Sequence, residues 1–60
     1  MNITYISTKA IIPFKGNVIH KGETFKAVMI DKGIVTLKNE FGTMYKVKYL
    51  TFDTCFKIKG

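Results

Sequence analysis

The chain has no arginine or tryptophan, a single proline and a single cysteine among its 60 residues. One cysteine cannot form an internal disulfide, and a domain this small in an oxidising compartment usually carries several, so a reducing cytoplasm is expected. No stretch is polar and repetitive, which argues against a linker or a disordered tail. A chain this short has apolar residues for only one core. The sequence therefore predicts a single domain over residues 1–60.

Long apolar runs are also missing. A bilayer-spanning helix needs about 20 consecutive apolar residues, and the uncharged stretches here are far shorter. Residues 1–5 lack the basic head and apolar run of a secretory signal. We therefore expect a soluble protein with no membrane partner, not exported by such a signal.

Groups that carry catalysis are scarce, with four carboxylates, one histidine and one cysteine. His20 and Glu23 are three residues apart, but two ligands do not close a zinc site, and no spacing indicates a dyad or a triad. No glycine-rich stretch precedes a predicted helix, which excludes a phosphate-binding loop. We expect no catalytic residues, no metal, no cofactor and no small-molecule substrate. The protein is predicted to be a binding module and not an enzyme.

Apolar residues alternate with lysine or threonine in residues 25–29, 35–38 and 45–49. A period of two predicts strands with one wet face, and the β-branched and aromatic residues in these segments favour the same structure. Glycine-containing turn signals occur at residues 31–33 and 39–42. The sequence therefore predicts a three-stranded meander with strands at residues 24–30, 34–38 and 44–49.

The segments that flank this meander are less regular. Residues 8–14 are predicted to form a strand with Ala10, Ile12 and Phe14 on one side and an edge or bulge near Pro13, followed by a long loop over residues 15–23. Residues 3–7 are expected to pair either with the sheet edge or with residues 57–59, and the sequence leaves both open. The alternation breaks at residues 50–54, which predicts a short 3₁₀ turn before a last strand over residues 55–59.

Together these elements describe an all-β fold, an SH3-like small barrel of about five antiparallel strands. Residues 21–27 (KGETFKA), residues 37–42 (LKNEFG) and the pair Phe52 and Phe56 resemble small SH3-like proteins encoded by phages and prophages of low-GC bacteria. The similarity extends over residues 9–56. It implies a phage or prophage source, the cytoplasm of a bacterial host cell and a non-enzymatic role, but it carries over no site residues.

The net charge is +6, and all ten basic residues that contribute to it are lysines. Lysines release counterions from phosphate, although abundant Lys, Ile, Asn, Phe and Tyr also fit an A/T-rich genome, so base composition explains part of the charge. If Phe25 and Ala27 point inward, strand parity directs Lys26 outward. The predicted nucleic-acid face consists of Lys26, Lys38, Lys46 and Lys48. Without arginine its sequence preference is expected to be weak, and an ordinary solvated face that blocks edge aggregation is the alternative.

Apolar residues are 47% of the chain, more than the interior of a small barrel holds. Several occur at outward positions of their strands, and an exposed cluster of a few hundred Å² marks a protein interface. The candidate interface, for a protein partner or for self-association, consists of Val28, Ile30, Ile34 and Met44. The alternative is that the N-terminal strand and the long loop cover these residues.

Two functions follow from this pattern. The first is a phage or prophage accessory module that docks on a protein, such as a host factor, and modulates it. The second is weakly sequence-specific DNA or RNA binding through the lysine-rich sheet face. Salt separates them, because phosphate contacts weaken as salt increases whereas an apolar interface hardly changes.

Overall fold

The structure is a computed structural model that describes residues 3–59, so that residues 1, 2 and 60 of the predicted domain lie outside it. Its strands and helix are β1 (Thr4–Ser7), β2 (Thr24–Asp31), β3 (Ile34–Asn39), β4 (Met44–Lys48), α1 (Tyr49–Cys55) and β5 (Phe56–Ile58). The strands pair antiparallel in one sheet of order β4-β3-β2-β1-β5. This order, with a helix between β4 and β5, is that of an SH3-like barrel. The predicted all-β small barrel is confirmed.

The predicted meander is formed by β2, β3 and β4. A two-residue turn joins β2 to β3, with Lys32 at φ 52° and Gly33 at φ 77°, between the paired residues Asp31 and Ile34. Two left-handed residues in succession make a type I′ turn, whose twist matches that of the flanking strands. In the β3–β4 turn the Asn39 side-chain oxygen accepts hydrogen bonds from two backbone amides, each at 2.9 Å. Both hairpin predictions are confirmed.

Strand β1 lies inside the sheet, between β2 and β5. Tyr5 of β1 is opposite Phe25 on one side and opposite Ile58 on the other. Both pairings that the sequence left open for residues 3–7 are therefore present, because an interior strand uses both of its edges.

The predicted 3₁₀ turn at residues 50–54 is wrong, because Tyr49–Cys55 form an α-helix and the last strand begins at Phe56. The amide of Phe56 donates to the carbonyl oxygen of Phe52, an α-helical spacing. Phe52 and Cys55 both pack against the core, and side chains three residues apart share one face of a helix. This apolar face favours a full helical turn over a tighter one. Among residues 3–59, no helix has the length and hydropathy to cross a membrane.

The predicted strand over residues 8–14 is also wrong. Residues 8–23 instead form one long loop between β1 and β2, in which Ile11 makes a β-bridge to Ile19, and Ile11 is the buried residue of the predicted strand. Ala10, Ile12 and Phe14, predicted to share one side of a strand, are all exposed. Pro13 has no N–H to donate to a ladder, and the Ile11–Ile19 bridge folds the segment on itself before Phe14 and Lys15 reach the edge of β4.

Aromatic rings organise the core around Phe25, which is 1% exposed. The ring of Phe25 meets Tyr45 and Phe56 edge to face, with centroids 5.3 and 5.8 Å away. Cys55 packs against the core as an apolar filler. The buried apolar residues are Ile11, Ile19, Phe25, Val35, Leu37, Tyr45, Val47 and Phe56.

Ala27 lies on the same side of β2 as Phe25, since it is opposite the buried residue Leu37, but it is exposed. The register between β2 and β3 shifts between Ala27 and Met29, and every residue of β2 after Phe25 is exposed. A β-bulge bends its strand and increases the local twist. The second half of β2 is therefore lifted away from the core that covers its first half.

Candidate functional site

The four lysines of the predicted nucleic-acid face lie on the outward side of the meander. In β4 the exposed residues Lys46 and Lys48 alternate with the buried residues Tyr45 and Val47. Residues directly opposite each other in an antiparallel pair point to the same side. Lys26 is opposite Lys38, which is opposite Met44. We call Lys26, Lys38, Lys46 and Lys48 the lysine face.

Lys26 and Lys38 are direct cross-strand neighbours. Such a pair has its Cβ atoms about 5 Å apart, and like charges in this arrangement destabilise a sheet. Lys46 and Lys48, in contrast, are opposite the neutral residues Thr36 and Ile34. The Lys26–Lys38 pair therefore costs stability in the isolated protein, and an anion between the two ammonium groups relieves that cost.

Further positive charge continues the lysine face on both sides. Lys15 of the long loop forms a β-bridge with Lys46. On the other side Lys57 of β5 is opposite Ile6, which is opposite Thr24. Among the outward strand residues that the structure describes, Asp31 is the only carboxylate. Lysine and threonine are among the side chains with which proteins contact phosphate and sugar.

Two open depressions lie along this side of the sheet. The first, of about 400 Å³, includes Thr4, Lys26, Lys38 and Glu40 in its lining. The second also measures about 400 Å³. We call it the Phe14 groove, and it is lined by Phe14, Met29, Asp31, Lys32, Ile34, Thr36 and Lys46.

The long loop holds Phe14 against β4. The amide of Phe14 donates to the carbonyl oxygen of Lys46 at 2.7 Å, and the amide of Lys46 donates back to Lys15 at 3.2 Å. The next residue, Gly16, has φ +102°, and a Cβ there would lie 2.5 Å from Cδ2 of Tyr45. Glycine therefore allows the loop to cross the Tyr45 ring and reach the edge of β4.

From the sequence, Phe14 was expected only as a strand residue. Its place beside the lysine face was not predicted. Its ring is 62% exposed, and the ammonium nitrogen of Lys48 lies 5.7 Å from the ring centroid. This is a cation–π distance. The signal in the sequence was an aromatic residue directly before Lys15 and Gly16, but the contact with β4 depends on pairing with Lys46, far along the chain.

The four residues of the predicted protein interface lie on different parts of the surface. Val28 and Ile30 are 51% and 57% exposed on the lifted half of β2. Ile34 is half-buried and Met44 is exposed, and both share the outward side with the lysine face, Ile34 opposite Lys48 and Met44 opposite Lys38. The register thus separates Ile34 from Met44 by the length of β4.

His20 and Glu23 form a turn contact. A carboxylate oxygen of Glu23 accepts a hydrogen bond from the backbone amide of His20 at 2.5 Å. This is the local capping that acidic side chains give to turns. In residues 3–59, no three histidine, cysteine, aspartate or glutamate side chains come together as a metal-binding group.

Comparisons of the chain with protein-family models, with curated proteins and with solved structures find no match. The resemblance to small SH3-like phage proteins stays a prediction from the motifs in residues 9–56. The function is therefore argued from the geometry of the lysine face.

Proposed function

We propose that this protein binds nucleic acid through the lysine face, with weak sequence preference and without catalysing a reaction. The observation that carries the proposal is the register of the meander, which sets Lys26 beside Lys38 and directs Lys46 and Lys48 to the same side. The two like charges of this pair repel each other in the free protein, and a phosphate between them replaces that repulsion with attraction.

The expected binding is electrostatic. Each lysine that neutralises a phosphate releases counterions, so affinity decreases steeply as salt increases. All ten basic residues of the chain are lysine, a flexible point charge without the forked donors that arginine presents to guanine. The contacts therefore favour the phosphate backbone over base edges.

Fluorescence anisotropy with labelled random-sequence oligonucleotides at low and at moderate salt tests the proposal. The double variant Lys26→Glu/Lys46→Glu should lose binding, because it reverses the charge at two positions of the lysine face. The matched control Lys9→Glu/Lys21→Glu changes the net charge equally at two exposed loop positions and should retain most of the affinity. Absence of binding by the wild type at low salt, or equal losses in both double variants, would remove the proposal.

Protein docking by a phage or prophage accessory module in the bacterial cytoplasm is the second candidate. It is supported by Val28 and Ile30, which are 51% and 57% exposed on either side of Met29 in the lifted half of β2. Sedimentation velocity of the wild type and of Val28→Ser/Ile30→Ser tests its self-associating form. Concentration-dependent association that the variant loses supports docking, and a wild-type monomer at all concentrations excludes that form.

A further inference from the structure

We infer that the nucleic acid on the lysine face is single-stranded and that one of its bases stacks on Phe14 in the Phe14 groove. The inference rests on the proposed function, which leaves the form of the nucleic acid open. It names the class of ligand and adds an aromatic contact to the electrostatic one.

The ring of Phe14 is placed as a stacking platform. It is 62% exposed, yet its backbone is tied to β4 by the 2.7 Å hydrogen bond to Lys46. Because the backbone of Phe14 is already fixed, less conformational entropy is lost when a base stacks on its ring. The ammonium group of Lys48 lies over the ring, 5.7 Å from its centroid, so a base would stack on the ring face that Lys48 leaves open. Aromatic rings among lysines are the recurring design of single-strand binding sites.

The Phe14 groove has the lining that a base needs. Met29 and Ile34 supply apolar surface, and Thr36 is only 8% exposed although it points outward, so its neighbours cover it. Lys32 and Lys46 add positive charge to the same lining, which is only partly offset by the carboxylate of Asp31. The volume of about 400 Å³ is within the range of small-ligand sites, roughly 300–1,000 Å³.

This combination favours a single strand over a duplex. In a duplex both faces of each base are covered by neighbouring bases, and a base must leave the stack before it can enter a side pocket. A single strand has unstacked bases that meet this requirement at little cost. The Phe14 groove, which has apolar residues, two lysines and one carboxylate in its lining, thus complements a flat ring whose phosphate lies on the side of the lysines.

Fluorescence anisotropy at one low salt concentration tests the inference. The probes are labelled oligothymidylate of about 15 nucleotides and a hairpin duplex of equal charge. We expect Phe14→Ala to weaken binding of the single strand about 5- to 100-fold, the loss typical of one base–aromatic stack, and to change duplex binding less than about twofold. Phe14→Leu, which keeps apolar volume without an aromatic ring, should show an intermediate loss.

Phe41→Ala is the matched control, since Phe41 is 84% exposed in the β3–β4 turn and should leave both affinities unchanged. If Phe14→Ala binds oligothymidylate as the wild type does, or loses both probes equally, the inference is overturned and the proposed function stands. If the wild type binds neither probe, both are overturned. Circular dichroism should show that each variant is folded, as expected for substitutions of exposed side chains.

Discussion

At Gly16 the long loop crosses the ring of Tyr45, a buried residue. A Cβ at this position would meet Tyr45 at 2.5 Å, and the φ of +102° is one that side-chain-bearing residues rarely adopt. We expect Gly16→Ala to lower the free energy of unfolding by about 1–3 kcal/mol, because it combines backbone strain with a steric clash. Denaturant unfolding monitored by circular dichroism measures the loss.

Gly22→Ala is the matched control for this substitution. Gly22 has φ +92°, close to that of Gly16, but a Cβ there meets nothing within 4 Å. It should therefore show the backbone effect alone and a smaller loss. Equal losses in the two variants would show that the contact with Tyr45 has no energetic consequence.

The outward direction of Lys26, Lys46 and Lys48 followed from the sequence, because strand parity is a local property. The exposure of Ala27 did not: its parity is that of Phe25, but the bulge that follows it turns the strand away from the core, and a bulge leaves no signal in the apolar pattern. The burial of Ile11 was not predicted, for another reason. Its burial depends on a bridge to Ile19 inside the loop, and loop pairing has no sequence period.

Within the β2–β3 hairpin, Lys32 is the only non-glycine residue of the described chain with a positive φ. A type I′ turn favours Asn-Gly at its two central positions, and lysine in the left-handed region costs about 1–2 kcal/mol. We therefore expect Lys32→Asn to raise the free energy of unfolding by up to about 1 kcal/mol. Thermal and denaturant unfolding measure this gain.

Lys21→Asn removes the same charge at another exposed turn and separates the backbone effect from charge repulsion. It should leave stability nearly unchanged. An equal gain in both variants would assign the effect to net charge and would contradict the proposed role of the left-handed residue.

For a charge reversal in the Lys26–Lys38 pair of β2 and β3, we expect the stability of the fold and the affinity for nucleic acid to change in opposite directions. Lys26→Glu replaces a like-charge cross-strand pair with an opposite-charge pair facing Lys38, which should stabilise the sheet by about 0.2–1 kcal/mol. The same substitution should weaken nucleic-acid binding. Unfolding and anisotropy on one sample measure both, and Lys21→Glu controls for the charge. A destabilised Lys26→Glu variant would contradict the repulsion assigned to the pair.

Among the elements, the meander was predicted most accurately, because the apolar period, the turn residues and the hairpin lengths are all local signals in the sequence. The helix Tyr49–Cys55 was mistaken for a 3₁₀ turn. At seven residues it is too short for its apolar spacing to stand out, and contact of Phe52 with the core favours it. The position of β1 depends on two non-local pairings, so the sequence left it open.

At the scale of the whole molecule, the barrel brings together surfaces that no sequence segment contains. The lysine face combines three strands, and the Phe14 groove adds a residue of the long loop. The lysines of this surface could be predicted from the sequence, whereas the position of the Phe14 ring at its edge could be seen only in the folded structure. The net charge of +6 attracts polyanions to the molecule at long range, and we expect them to bind at the lysine face.

The dependence of nucleic-acid affinity on salt tests the lysine face most directly. The association constant for duplex should be measured over a series of salt concentrations for the wild type and for single alanine variants of Lys26, Lys38, Lys46 and Lys48. If each of the four lysines contacts one phosphate, the slope of log K against log salt should be about −3 to −4, and each variant should reduce its magnitude by about one. A slope near zero, or a slope that the four variants leave unchanged, would contradict the account.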